Sequence, residues 1–172
     1  MNKIKFNSKS KQYGWLSNMY ECTVPYQVVT YKSAESAFQA QKCASEFVKN
    51  KFTDLDGFQA RELGRKVKLA SDWDQVKMTI MHDILMAKFS NNDELHDQLL
   101  ATGDSELIEH APWERYSFWG IGKEGGLNNT GHLLMQIRNE LREFQLFYES
   151  EADELDGDMY FSFIKAQEMG IK

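Results

Sequence analysis

The segment from Trp113 to Arg138 constrains the fold most strongly, because it joins an aromatic and glycine-rich turn to an amphipathic helix. Apolar residues recur at helical spacing after Gly131, which predicts a helix with one buried face formed by Leu133, Leu134, Ile137, Leu141 and Phe144. Glycines let a backbone approach a ligand closely, and a helix start directs N–H groups toward an anion. The segment therefore favours a site for a planar, phosphorylated ligand. The alternative is a tight turn whose aromatic side chains only fill the hydrophobic core.

Length and composition indicate one ordered globular domain of 172 residues. The net charge of −6 provides no global basic surface for duplex nucleic acid, although a pocket for a single modified base stays possible. Cys22 and Cys43 lack the spacing of a disulfide framework or a zinc site. The first residues, MNKIKF, lack the apolar core of a signal peptide, and no apolar run is long enough to span a membrane. We expect a soluble cytoplasmic protein, and the sequence leaves its oligomeric state open.

The pattern along the chain predicts an α+β protein that is mainly helical, with a small sheet or hairpin near the N-terminus. Strands are expected at 3–6 and within 13–31, where VPYQVVTY mixes β-branched and aromatic residues. Helices are expected at 34–48, which Ser33 would cap, and at 58–67, after a capping box at 71–74, at 93–101 and after 131. Residues 1–144 form the predicted domain, and 145–172 form an acidic C-terminal extension with no identified chemistry.

The first of these helices carries an unusual polar stripe. Glu35, Phe38, Gln39 and Lys42 share one face at spacings of three and four, at the edge of the apolar face. A glutamate in the first helical turn often only complements the helix dipole. A carboxylate, an amide and an ammonium beside a phenylalanine would also suit the wall of a pocket. Arg65, in the following helix, would either bind a phosphate group there or form part of a solvated basic face.

Other sites have weaker support. The string at 120–125 fits G-x-G-x-x-G, but the helix begins several residues later and strands do not alternate with helices, so a dinucleotide-binding fold is rejected. The four histidines are scattered, and we predict neither a metal nor a cofactor. Carboxylates beside aromatic residues remain for acid and base chemistry, notably Glu35 and Glu114. Two carboxylates flanking a sugar are the usual means of cleaving a glycosidic bond.

The order of these pieces resembles the NADAR (YbiA-like) family from about residue 6 to residue 142. The matching stretches are YGWLSNMY at 13–20, SAESAFQAQK at 33–42, ARELGRKV at 60–67, DWDQVK to AKF within 72–89, LLATGDSELIE at 99–109 and the FWGIG to LNNTGHLLMQIR stretch within 118–138. The resemblance implies an N-glycosidase that acts on ribosyl compounds, either phosphoribosylamino-pyrimidine intermediates of riboflavin synthesis or ADP-ribose on a guanine base. A substrate of the second kind would involve local contact with modified nucleic acid.

The resemblance also implies site residues. The helix glutamate of the family falls on Glu35, its lysine on Lys42, the tryptophan of its W-G-x-G loop on Trp119 and its loop asparagine on Asn128. Where the family usually has an aspartate, this chain has Tyr116, so Glu114 is the nearest candidate for the second catalytic carboxylate. The remaining predicted substrate contacts are Trp15, Ser17, Asn18, Lys42, Arg65 and Gly120.

These assignments define two competing hypotheses. In the first, Glu35 stabilises the cationic sugar or orients water, Glu114 supplies the second carboxylate, and the tryptophans stack on the base. In the second, the absence of the family aspartate marks a non-catalytic module that binds ADP-ribose or another nucleotide. The acidic stretch at 149–158 adds a third possibility, the recruitment of a protein partner.

Overall fold

A computed structural model describes residues 2–154, with side chains to residue 148. Its strands are β1 (Lys3–Phe6), β2 (Glu21–Tyr26), β3 (Val29–Ser33) and β4 (Glu106–Glu109). Its helices are α1 (Ala34–Gln41), α2 (Glu46–Lys49), α3 (Gly57–Gly64), α4 (Trp73–Ser90), α5 (Asp93–Ala101) and α6 (Asn129–Glu154), with short 3-10 turns at Gly14–Leu16 and Asn50–Phe52. The α+β class is confirmed.

The strands form two separate two-stranded sheets. β2 and β3 make the expected antiparallel hairpin, which turns at Gln27 with a φ of 55°. β1 pairs in parallel with β4, so that Lys3 lies opposite Glu106 and Phe6 opposite Glu109. β4 is not predicted from the sequence, which indicates a loop between the helix at 93–101 and the segment that begins at Trp113. This pairing carries the chain directly from the N-terminus to the segment before the glycine-rich loop.

The helix after Ser33 is shorter than predicted. The Ser33 side chain accepts a hydrogen bond from Ser36 N, as the predicted cap requires, but α1 ends at Gln41. Ala70 N donates to Lys42 O at 2.8 Å and Ala44 N donates to Lys68 O at 3.2 Å. The backbone beyond α1 therefore pairs with the segment before α4 instead of continuing the helix, which leaves Phe47 75% exposed.

α4 also departs from its prediction. The expected capping box at 71–74 is absent, since Asp72 occupies the cap position without a side-chain hydrogen bond. A capping box forms instead at the start of α3, between Asp56 and Gln59. The buried face of α4 contains Trp73 and Ile84, and it continues through Lys88 and Phe89.

The chain divides into two compact units, Met1–Arg138 and Asn139–Lys172. The core of the first contains Leu133, Leu134 and Ile137, as the helical spacing predicts. In the second unit Leu141 is buried, but Phe144 is 58% exposed, so its placement on a buried face was wrong. The predicted extension at 145–172 lies largely beyond the described residues. Among those described, no helix combines the length and the apolar character that a membrane span requires.

Candidate active site

A cavity of about 270 Å³ lies in the first unit, between α1, α3, the segment before β2 and the segment after β4. Most of the predicted site residues line it, namely Ser17, Asn18, Glu35, Lys42, Arg65, Glu114 and Trp119. These residues come from four distant parts of the sequence. The fold therefore brings the polar stripe of α1 and the aromatic loop to one place.

α1 contributes the carboxylate at the base of the cavity. Glu35 is only 8% exposed, and its Oε1 accepts a hydrogen bond of 2.8 Å from Gln39 Nε2. Burial raises the pKa of Glu35, while the Gln39 hydrogen bond and the charges of Arg61 and Lys42 lower it. The carboxylate is thus desolvated but surrounded by groups that favour its ionised form.

Glu109 is a second acidic group in the cavity, and the sequence analysis did not select it. Its pKa is raised to about 7, mainly by burial; the interaction with Thr130 lowers it, the charges of Glu35 and Glu114 raise it, and the charge of Arg61 lowers it. The Thr130 hydroxyl is buried without a hydrogen bond of standard geometry, yet it is close enough to favour the ionised carboxylate. A carboxyl group that titrates near neutrality in a cleft is typical of an acid catalyst.

Asn128 holds the backbone of β4 rather than facing the cavity. Its Oδ1 accepts from Glu109 N at 3.0 Å, and its Nδ2 donates to Leu107 O at 2.9 Å. Ile121 N donates to Glu109 O at 2.7 Å. The predicted substrate contact of Asn128 stays a prediction, while its hydrogen bonds position Glu109.

The glycine-rich loop packs against the protein's own backbone. A side chain on Gly120 would bring a Cβ within 2.4 Å of Glu109 O, and one on Gly126 would bring it within 2.1 Å of Gly120 O. At the start of α6, Thr130 N donates to Trp119 O. Gly120 does not line the cavity, and these glycines permit the close approach of chain segments. The phosphate expected at this loop would have to bind elsewhere.

Three cations also line the cavity: Lys42, Arg61 and Arg65. Arg61 NH2 lies 3.6 Å from Glu114 Oε1, so the predicted second carboxylate is paired at the cavity rim. Burial lowers the pKa of Lys42, although the charge of Glu35 raises it. A pair of arginines with a lysine is suited to bind a phosphate group.

The two predicted tryptophans differ in position. Trp119 lines the cavity, with its ring 5.3 Å from that of Phe38 in an edge contact. Trp15 does not line it; its ring packs on Phe89, and its Nε1 donates to Gln12 O. Tyr116, at the position of the family aspartate, is 60% exposed and does not line the cavity either.

Within the described residues, no group of three or more His, Cys, Asp or Glu side chains is arranged to hold a metal ion. The carboxyl groups, the lysine and the arginines that line the cavity can supply acid, base and electrostatic chemistry. Glu109 escaped the sequence analysis because a strand of four residues gives a weak pattern. The one available signal was the alternation in Glu106–Glu109, in which Leu107 is buried and Glu109 ends the strand.

Comparison with known proteins gives a consistent result. The profile of the NADAR domain family matches residues 5–142. The N-glycosidase YbiA of Escherichia coli is 35% identical over 142 residues, covering 80% of this chain and 88% of that protein. A riboflavin biosynthesis protein of Vibrio vulnificus is 36% identical over 144 residues, covering 81% of this chain, which spans only 39% of that longer protein.

A solved structure supports the same relationship. The NMR structure of the E. coli protein YbiA superposes with a TM-score of 0.76 at 34% identity, covering 84% of this chain and 88% of that chain. The N-glycosidase Npun_R5314 of Nostoc punctiforme is 34% identical over 150 residues, covering 81% of this chain and 92% of that protein. With its fold, its cavity and these relatives in agreement, the chain belongs to the NADAR domain family, the family of these N-glycosidases.

Proposed function

We propose that the chain hydrolyses the C1′–N bond of an N-ribosylated base that carries a phosphate, of the phosphoribosylamino-pyrimidine class. The observation that carries the proposal is the presence of Glu35 and Glu109 in one cavity that is also lined by three cations. The names of the relatives, two N-glycosidases and a riboflavin biosynthesis protein, support it.

The two carboxylates suit different roles in the reaction. Burial raises the pKa of both Glu35 and Glu109, to about 7 for Glu109, where the charge of Glu35 also contributes. In the proposed reaction Glu109 carries the proton and Glu35 is ionised. When the C1′–N bond breaks, its electron pair goes to the base nitrogen, which takes the proton from Glu109. Glu35 stabilises the cationic sugar and accepts a proton from the water that adds at C1′. Glu114, the carboxylate predicted from the sequence for the second role, forms an ion pair with Arg61, and the proposal gives that role to Glu109 instead.

The size and charge of the cavity favour a mononucleotide-like substrate. Its volume of about 270 Å³ is slightly below the range of roughly 300–1,000 Å³ that is usual for ligand sites. One phosphate would be bound by Lys42, Arg61 and Arg65, and the face of Trp119 would contact the base. The buried acceptor Asn18 Oδ1, which has no hydrogen-bond partner among the described residues, would accept from a sugar hydroxyl or a base amine.

ADP-ribose attached to guanine, including guanine within a nucleic acid, is the second candidate substrate. The observation in its favour is Trp113, which lines the cavity and is 52% exposed. Its exposed ring could contact a nucleotide that extends beyond the cavity. The net charge of −6 argues against a long nucleic-acid contact, but a single modified base needs only a pocket.

The test is a turnover assay with a phosphoribosylamino-pyrimidine and with ADP-ribosylated guanine, for the wild type and Glu35→Gln. We expect release of the base from the first substrate, with kcat/KM reduced at least about 100-fold by Glu35→Gln. Glu46→Gln is the matched control, because Glu46 is exposed on α2 and does not line the cavity. Undiminished base release by the Glu35 variant would refute the assignment.

Calorimetry on the same proteins separates an enzyme from a binding module. A module would bind ADP-ribose without turnover of either substrate. An enzyme of the proposed kind would bind ribose 5-phosphate, the product side of the reaction, and would turn over the riboflavin intermediate. Turnover of ADP-ribosylated guanine alone would assign the second substrate class instead.

A further inference from the structure

Lys88 is a fully buried lysine that the proposed chemistry does not use. It lies in α4 with an exposed fraction of 0%. Its Nζ donates to Trp15 O at 2.6 Å and to Ser17 O at 3.0 Å. The described residues place no carboxylate within 4.0 Å of this ammonium. Burying a charge without a counter-ion is costly, so its two carbonyl partners must account for its retention.

The two carbonyls belong to the segment that leads into β2. Trp15 lies in the 3-10 turn Gly14–Leu16, and Ser17 follows it. Leu16 between them is fully buried, which fixes the same turn from its apolar side. A charged donor is worth roughly twice a neutral one, so Lys88 restrains this short turn strongly. The segment has no strand partner of its own at these two residues.

This turn continues directly into the cavity. Ser17 and Asn18 line it, and Asn18 O accepts a hydrogen bond of 2.8 Å from Glu35 N at the start of α1. Asn18 Nδ2 contacts Met81 Sδ at 3.5 Å, while no group in the described part of the chain forms a hydrogen bond with Asn18 Oδ1. The position of Asn18 in the cavity wall, and of its unpaired Oδ1, therefore depends on the turn that Lys88 holds.

We infer that Lys88 is a positioning residue that fixes Ser17 and Asn18 at the cavity, where Asn18 Oδ1 accepts a hydrogen bond from a hydroxyl or amine of the substrate. The substrate part of this inference rests on the proposed function. The structural part, restraint of the turn by Lys88, stands on the hydrogen bonds alone.

The restraint depends on the charge of Lys88. Burial lowers its pKa to about 8, while the Cys22 thiol, which faces it from β2, raises it when ionised. Burial in turn raises the pKa of Cys22. The remaining neighbours are the rings of Phe89 and Tyr20, at 5.0 and 5.7 Å from the ammonium. The charged form is present below about pH 8 and is lost above it, so the turn should loosen at alkaline pH.

The experiment compares Lys88→Met and Lys88→Arg with wild type by hydrogen exchange and steady-state kinetics. For Lys88→Met we expect exchange in residues 13–20 to be at least about tenfold faster, with unchanged exchange in the β2–β3 hairpin. KM should rise about tenfold or more with kcat within about threefold, and Lys88→Arg should restore part of both effects. Lys32→Met is the matched control, because exposed Lys32 also donates to a backbone carbonyl, that of Asp54.

A second measurement serves if Lys88→Met does not fold. Calorimetry measures the affinity for ribose 5-phosphate at pH 7 and at pH 9.5. Between these two pH values wild type should lose more affinity than Lys88→Arg does, since arginine stays charged. Equal losses in the two proteins, or wild-type exchange in Lys88→Met, would overturn the inference. A different result is also informative: hydrogen exchange at 13–20 is faster in Lys88→Met, but wild type neither turns over the substrates nor binds the sugar phosphate. This result would refute the proposed function, while the restraint of the turn by Lys88 would still hold.

Discussion

α1 and the glycine-rich loop contribute to the same cavity in different ways. α1 presents the side chains of Glu35, Gln39 and Lys42, which a helical repeat places on one face. The loop presents Trp119 but uses most of its glycines and its first helical amides for contacts within the protein. In a helix, the spacing of residues in the sequence thus identifies which side chains share the face at the cavity. In a glycine-rich loop, the glycines can serve close packing of the backbone even where their spacing resembles a ligand-binding motif.

The largest effect is expected at Glu109, where the loop and β4 meet the cavity. Glu109→Gln should lower kcat/KM by about 100-fold or more, because it removes the proposed proton donor. The pKa of Glu109 is raised from 4.5 to about 7, so the acid form dominates below about pH 7. The wild-type rate should therefore fall as pH rises through about 7, and a pH profile of kcat/KM should lack this limb in the variant.

The matched control for Glu109→Gln is Glu106→Gln, at the other end of the same strand. Glu106 pairs with Lys3 at the surface and does not line the cavity. Its replacement should leave both the rate and the alkaline limb unchanged. If Glu109→Gln kept the wild-type profile, the proton donor would have to be sought at Glu114.

The next effect concerns Asn128, which distinguishes a ligand contact from a structural clamp. Asn128→Ala should lower the free energy of unfolding by roughly 2–6 kcal/mol, because it leaves Leu107 O and Glu109 N without their partner at about 1–3 kcal/mol each. The φ of 51° at this position adds strain for alanine. Denaturant titration measures the loss.

Asn128→Gly separates the two causes, since glycine accepts the positive φ but removes both hydrogen bonds. Its destabilisation should be nearly as large as that of Asn128→Ala. Unchanged stability in both variants, combined with a raised KM, would instead make Asn128 the substrate contact that the family resemblance implies.

A smaller effect is expected at Arg65, one of the three cations. Its side chain is 63% exposed and lies 3.5 Å from Glu62, so solvent screens its charge. Arg65→Gln should raise KM for a phosphorylated substrate by up to about fivefold, with kcat unchanged. The inhibition constant of inorganic phosphate is the direct measurement. An unaltered constant would show that Arg65 belongs to a solvated surface.

Much of the site was predictable because it lies on helices with clear boundaries. Ser33 caps α1 as expected, and the spacing from Glu35 to Lys42 then fixes which side chains share a face. Ser17 and Asn18 were also placed correctly at the cavity, although the reason for their position, the buried Lys88 of α4, was not visible in the sequence.

The remaining features depend on tertiary pairing. β4 is four residues long and gains its stability from β1, a partner distant in sequence, so local pattern could not identify it or the acid at its end. The burial of Lys88 could not be predicted from hydropathy, because a charged side chain is not expected on the buried face of a helix. It is explained by the carbonyl groups of another segment, which accept its hydrogen bonds. α1 stopped early because residues 42–44 found backbone partners at 68–70.

The smallest effect is expected at Trp15, where the sequence and the structure differ about a predicted site residue. Trp15→Phe should change kcat/KM by less than about twofold, because the ring packs on Phe89 outside the cavity and a phenylalanine preserves that contact. The Trp15 carbonyl that binds Lys88 is kept in the variant. Trp119→Phe is the matched comparison and should lower kcat/KM about tenfold, since Trp119 lines the cavity. A tenfold loss in Trp15→Phe at unchanged stability would mean that this ring moves to the substrate on binding.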